Sequence, residues 1–170
     1  MLTLFCLNLH IGLKISAKVI EFMESEVFEP DIQTLGYYVD RALCVMIKLL
    51  NKELKEANLR FQHSDYTIMR ILSEKDSLTQ SDLARILGKE RSAISRSLTS
   101  LEKEGYVRRE KVNGCTNHVF LTGKGKKIMP VLNEIANKVS DKAMLGVSYK
   151  ERKEIMSYLT LIYRNSMLGC

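Results

Sequence analysis

The chain has 170 residues, 45% hydrophobic and 27% charged, with two prolines, no tryptophan and a net charge of +6. That is ordinary for a globular domain, gives enough apolar material for a core without staples, and favours long helices over a many-turned β fold. Cys6, Cys44, Cys115 and Cys170 are far apart and form no C-x-x-C, which excludes zinc-finger spacing and a disulfide framework and leaves reduced thiols in a cytoplasmic protein as the expectation.

The apolar start "MLTLFCLNLHIGL" contains Asn8 and His10 and spans about 13 residues, too few for a membrane helix. It lacks the basic start and small-residue cleavage site of a signal peptide. Residues 1–32 are therefore read as an extension. Within it, residues 1–22 are either an artefact of a start at Met23 or an added amphipathic segment.

The first periodic segment runs from Leu35 to Leu54, with Leu35, Val39, Leu43, Met46 and Leu50 at helical spacing and Asn58 near its end. "SDYTIMRIL" (64–72) is a short second helix with Ser64 or Asp65 as its cap. In "TQSDLARILG" (79–88), Thr79 and Asp82 have capping-box spacing and Gly88 supplies a left-handed stop. A further helix begins near Arg91 and ends at Gly105. Two helices joined by a short glycine-containing turn match a helix-turn-helix.

"YVRREKV" and "CTNHVFL" flank Asn113-Gly114, a strong hairpin signal, although imperfect alternation leaves the register open. After Thr122, Ile128, Val131, Leu132, Ile135 and Val139 mark a long helix. Pro130 predicts a kink, or a start nearer Met129. Ser148 and Glu151 cap a last helix carrying Ile155, Leu159, Ile162 and Tyr163.

The charge is localised. Residues 77–127 hold eleven Lys/Arg against five Asp/Glu, so this block carries the whole excess and the rest is neutral. A basic block in a neutral chain is an electrostatic footprint for a polyanion. At about 100° per residue, Ile94, Leu98 and Leu101 share one face of the 91–104 helix. Ser92, Arg96, Thr99 and Lys103 fall opposite, with no acid among them, while Glu102 and Glu104 lie on the flanks. Hydroxyls and an arginine able to reach guanine suit the major groove, and Lys89 and Arg91 stand at the helix start, where phosphate is favoured. With the basic hairpin that follows, the pattern is a winged helix.

The run "LTQSDLARILGKERSAISRSLTSLEKEGYVRRE" followed by "VFLTGKGKK" resembles the MarR-type winged helix-turn-helix transcriptional regulators over about residues 33–166. The resemblance implies a mainly α fold. It comprises a helix-turn-helix at 79–104, a two-stranded β-hairpin wing at 106–121, and dimerisation helices at 33–57 and 123–166. It implies a homodimer on a pseudo-palindromic operator in double-stranded DNA, a repressor being expected, and a small aromatic effector that releases it.

On that reading Ser92, Ser95, Arg96 and Thr99 read bases. Gln80, Lys89, Arg91, Lys103, Lys111, Asn113, Asn117, His118 and Lys124 contact phosphate or form the wing surface. Family members often carry Asp-Arg-Arg at the wing tip. Here that stretch is Asn113-Gly114-Cys115, so the wing is expected to grip backbone rather than insert an arginine in the minor groove. Arg108 and Arg109 lie deeper and are either structural or phosphate contacts. Tyr37, Tyr38, His63 and Tyr66 are candidates for the effector crevice, with ordinary core or helix aromatics as the alternative. Cys44 and Cys115 are redox candidates, although the apolar "RALCVMI" around Cys44 predicts a buried, inert thiol.

Enzyme motifs are absent: there is no H-E-x-x-H, and "GKGKK" lacks P-loop spacing. No cofactor, metal or membrane partner is expected. The competing readings are a winged helix used only for protein contacts, a cysteine-based redox regulator, and a single-strand or RNA binder. The last needs exposed stacking aromatics that the polar face lacks.

Overall fold

The computed structural model describes residues 34–112, 114 and 116–168. The expectations for residues 1–32, Asn113, Cys115 and Cys170 lie outside the described residues. The described elements are α1 (Leu35–Glu56), α2 (His63–Glu74), β1 (Leu78–Thr79), α3 (Gln80–Leu87), α4 (Arg91–Lys103), β2 (Val107–Val112), β3 (Thr116–Leu121), α5 (Gly123–Ala143) and α6 (Tyr149–Leu168).

They fall into two compact units, one of residues 39–140 and one containing 34–38 and 141–168. The first unit holds the core. Leu50 and Leu54 of α1, Ile68, Met69 and Leu72 of α2, Leu83 of α3, Ile94, Leu98 and Leu101 of α4, Val107, Val119 and Leu121 of the sheet, and Met129, Leu132 and Val139 of α5 are all buried. Burying one such side chain contributes about 1.5–3 kcal/mol, so this cluster holds the short helices, which are too brief to be stable alone. In the second unit none of the described side chains of α6 is buried, and Tyr149, Met156, Tyr158, Leu161 and Tyr163 are exposed.

Local chemistry sets the boundaries. Asn58 adopts φ 57°, and the Leu59 N–H donates to the Leu54 carbonyl, closing α1 with a left-handed residue. At α2 the cap is Gln62, not Ser64 or Asp65. Asp65 works in reverse, its carboxylate accepting the Gln62 N–H at 2.9 Å. At α3 the predicted box is present: Thr79 Oγ1 accepts the Asp82 N–H at 3.1 Å, and the Asp82 carboxylate accepts the Thr79 N–H. The Thr79 hydroxyl also donates to Asp82 Oδ2 at 2.6 Å, and that bond, together with the one from the Thr79 N–H, holds the Asp82 carboxyl below its ordinary pKa. Thr79→Ala should cost about 1 kcal/mol, read as a shift in the urea midpoint; an unmoved midpoint would mean that the box is redundant.

The wing is not a lone hairpin. β1 adds a third strand, pairing Leu78 with Val119 and Thr79 with His118, in the order β1-β3-β2. A two-residue strand has no periodicity, so sequence reading missed it. The β2–β3 register pairs Val112 with Thr116, leaving a three-residue tip around Gly114, which has φ 76°.

α5 starts at Gly123, well before Met129, and is continuous through Pro130. Packing of Met129 and Leu132 on either side outweighs the local cost of the proline. Val131, placed on the apolar stripe by periodicity, is exposed instead. Ser148 and Glu151 cap α6 as expected, with the Ser148 N–H 2.8 Å from the Glu151 carboxylate.

Candidate nucleic-acid interface

α3 and α4 are joined by Gly88, Lys89 and Glu90. Gly88 takes φ 59°, and the Lys89 N–H donates to the Ala84 carbonyl, which lets the chain reverse in three residues. Gln80 stitches the two helices, its Nε2 donating to the Arg91 carbonyl at 3.1 Å.

α4 then presents two faces. Ile94, Leu98 and Leu101 are buried. Ser92, Arg96, Thr99 and Lys103 are exposed and Ser95 is half-buried. The thin apolar seam anchors the helix and leaves the polar face in solvent. Lys89 and Arg91, at the entry to α4, are exposed as well.

A cleft of about 350 Å³ runs between the start of α2 and α4, lined in part by Ser64, Asp65, Lys89, Arg96 and Ser97. Ser97 Oγ lies 3.3 Å from Ser64 Oγ. Burial pushes the Asp65 carboxyl above its ordinary pKa, against the opposing effect of bonds from Gln62 and Ser97 and the charge of Lys89. Burial likewise lowers the His63 imidazole, with Lys89 adding to the effect. Ser97 escaped sequence reading because it sits on the flank of the wheel. Only the packing of α2 against α4 brings it to Ser64.

In the wing, Lys111 and Asn117 are exposed partners across β2 and β3. His118 is half-buried, with Nδ1 3.0 Å from Ser77 Oγ and 3.2 Å from the Ser77 carbonyl. It thereby steadies a residue with the left-handed φ of 64°. Lys124 remains exposed, but its Nζ donates to the Glu104 carbonyl at 2.6 Å and lies 4.2 Å from the centre of the Tyr106 ring. Arg108 lies over Phe120 and pairs with Glu110, and Arg109 pairs with Glu102. In this chain both wing arginines are held by structural partners.

The crevice candidates divide between the two units. Tyr37 and Tyr38 pack edge to face in one. In the other, the Tyr66 hydroxyl donates to Asn133 Oδ1 at 3.2 Å, and the His63 N–H donates to Asn51 Oδ1 at 2.8 Å. Cys44 is exposed on α1, 4.0 Å from Asp40 Oδ1, contrary to the buried thiol that its apolar neighbours suggested. Its neighbours Leu43 and Val45 are exposed too, so a hydrophobic context did not mean a buried one.

Comparison with known proteins agrees with this architecture. The family model for the MarR family matches residues 61–114, from the start of α2 through β2 to the hairpin tip. The HTH-type transcriptional regulator YybA of Bacillus subtilis (strain 168) is 25% identical over 117 residues, covering 68% of this chain and 77% of that protein. A MarR-family transcriptional regulator from Silicibacter pomeroyi is 26% identical with a TM-score of 0.66, covering 76% of this chain and 88% of that one. A MarR transcriptional regulator from Methanosarcina mazei Go1 superposes with a TM-score of 0.75 at 21% identity, covering 88% of this chain and 99% of its own. Over residues 61–114, which hold the helix-turn-helix and the first wing strand, the chain is similar to the MarR family, and its fold as a whole is similar to that of solved MarR-family regulators.

Proposed function

We propose that the protein binds a specific site in double-stranded DNA as a homodimer and represses transcription from it, with α4 in the major groove and the wing against the flanking backbone. The observation that carries this reading is the two-faced α4: three buried apolar anchors on one side, and an exposed stripe of Ser92, Arg96, Thr99 and Lys103 on the other. The base-reading set is Ser92, Ser95, Arg96 and Thr99, with Lys89, Arg91, Lys103 and Lys111 on phosphates. A dimer is supported by the apolar side chains that the single chain leaves in solvent on α1 (Leu35, Val39, Leu43) and α6 (Met156, Leu159, Leu161), since contiguous exposed apolar surface marks an interaction site. Two-fold symmetry then implies half-sites about one helical turn apart. Among the described residues no helix is long and apolar enough to cross a membrane.

Footprinting on the DNA upstream of its own gene tests the reading, with and without aromatic acids as effectors. Arg96→Ala should weaken the cognate site by about 1–3 kcal/mol and relax one base position; equal loss on random DNA would reduce Arg96 to a backbone contact. Lys103→Ala should weaken all duplexes alike and flatten the slope of log affinity against log salt by about one unit. An unchanged slope would remove Lys103 from the interface. No binding to any duplex at low ionic strength would overturn the proposal and favour a protein partner for the basic face.

A further inference from the structure

The wing leaves α4 through the turn at residues 104–106, and that turn is held by the start of α5. Thr122 Oγ1 donates to the Gly105 carbonyl at 2.7 Å and Lys124 Nζ to the Glu104 carbonyl at 2.6 Å. Beyond the turn, the ribbon meets α4 again through Arg109, whose Nη1 lies 3.3 Å from Glu102 Oε2. Glu102 stands on the flank of α4, about 80° around the helix from Ile94, so it reaches the wing without occupying the polar face. The two side chains are only 28% and 39% exposed, where a charge pair is screened less than on open surface.

Arg109 does not hold its fork out to solvent as a phosphate-gripping arginine would. Its Nη2 is buried and has no hydrogen-bond partner. Removing the Glu102 carboxylate would therefore leave a guanidinium without its countercharge in a partly dry site, which is costly. The mechanical consequence is large. Six residues of β2 extend about 20 Å at roughly 3.4 Å per residue, so a tilt of about 10° at the root moves the tip by about 3–4 Å, enough to break a phosphate hydrogen bond.

We infer that Arg109 and Glu102 are positioning residues: their ion pair sets the angle between wing and recognition helix so that both reach one duplex, and neither touches the DNA. This rests on the DNA-binding reading above. The test compares Glu102→Gln, Arg109→Gln, the conservative Arg109→Lys and the exchanged pair Glu102→Arg with Arg109→Glu. The readouts are hydroxyl-radical footprints, the salt dependence of affinity on a duplex bound by wild type, and amide hydrogen exchange across residues 107–121 in the DNA-free protein.

Glu102→Gln and Arg109→Gln should each lower affinity about three- to tenfold. The wing protections should vanish while those of α4 persist, and wing exchange should speed up relative to α4. Arg109→Lys, or the exchanged pair, should recover part of the loss. A fall in affinity and salt slope for Arg109→Gln with Glu102→Gln unchanged would show instead that Arg109 grips phosphate. A footprint weakened uniformly, with wing exchange unchanged, would also overturn the inference. If wild type bound no duplex, the DNA reading would fall separately, and the exchange comparison would still decide: equal wing exchange in wild type and Glu102→Gln removes the clamp, faster exchange keeps it.

Discussion

Gly125→Ala is expected to cost about 3 kcal/mol of stability, at the upper end of the range for forcing an extra methyl into a packed site. A Cβ built at Gly125 would overlap the Tyr106 carbonyl oxygen and come within 3.1 Å of Leu121 Cδ2. The first obstacle is backbone, and it is pinned: Tyr106 N–H donates to the Leu101 carbonyl, and the Tyr106 carbonyl accepts the Thr122 N–H at 3.0 Å. Helix propensity works in the other direction, since alanine is better than glycine in a helix by about 1 kcal/mol. The clash must therefore exceed that gain, and the immobility of the turn says that it does. Gly123 is the control, because nothing lies within 4 Å of a Cβ there, so Gly123→Ala should leave stability unchanged or slightly raised. Urea denaturation of the two variants decides it. A Gly125→Ala protein as stable as wild type would mean that α5 can retreat from the turn between α4 and β2.

The second large effect is at Leu98, which is fully buried under the middle of α4. Leu98→Ala should lose about 2–5 kcal/mol through lost burial and the cavity left behind. Arg96→Ala, two residues away on the exposed side, should leave the unfolding midpoint within about 0.5 kcal/mol of wild type. The contrast is the informative result. If Arg96→Ala also destabilised the fold, the exposed stripe would be structural, and its assignment to DNA would lose its basis.

The apolar seam of α4 was legible in the residues because a helix turns by a constant angle, so spacing alone separates Ile94, Leu98 and Leu101 from Ser92, Arg96 and Thr99. The Thr79 cap and the Gly88 and Gly105 stops were legible because they act within four residues. The same locality explains the misses. Val131 has the right spacing, yet α5 turns it to solvent. The Pro130 penalty is local and was overridden by core packing on either side.

Local order thus determined the succession of the helices among the described residues, the helix-turn-helix, and the polar stripe that faces away from the core. The tertiary structure alone decided which residues meet beyond one turn of chain. It added β1 to the wing, set Glu102 against Arg109, seated His118 on Ser77, joined Ser97 to Ser64 and pressed Gly125 against Tyr106. The physical reason is that capping and periodicity are carried by bonds within one turn of chain. These contacts instead join groups that come together only after the core has closed, and no spacing in the sequence encodes that closure.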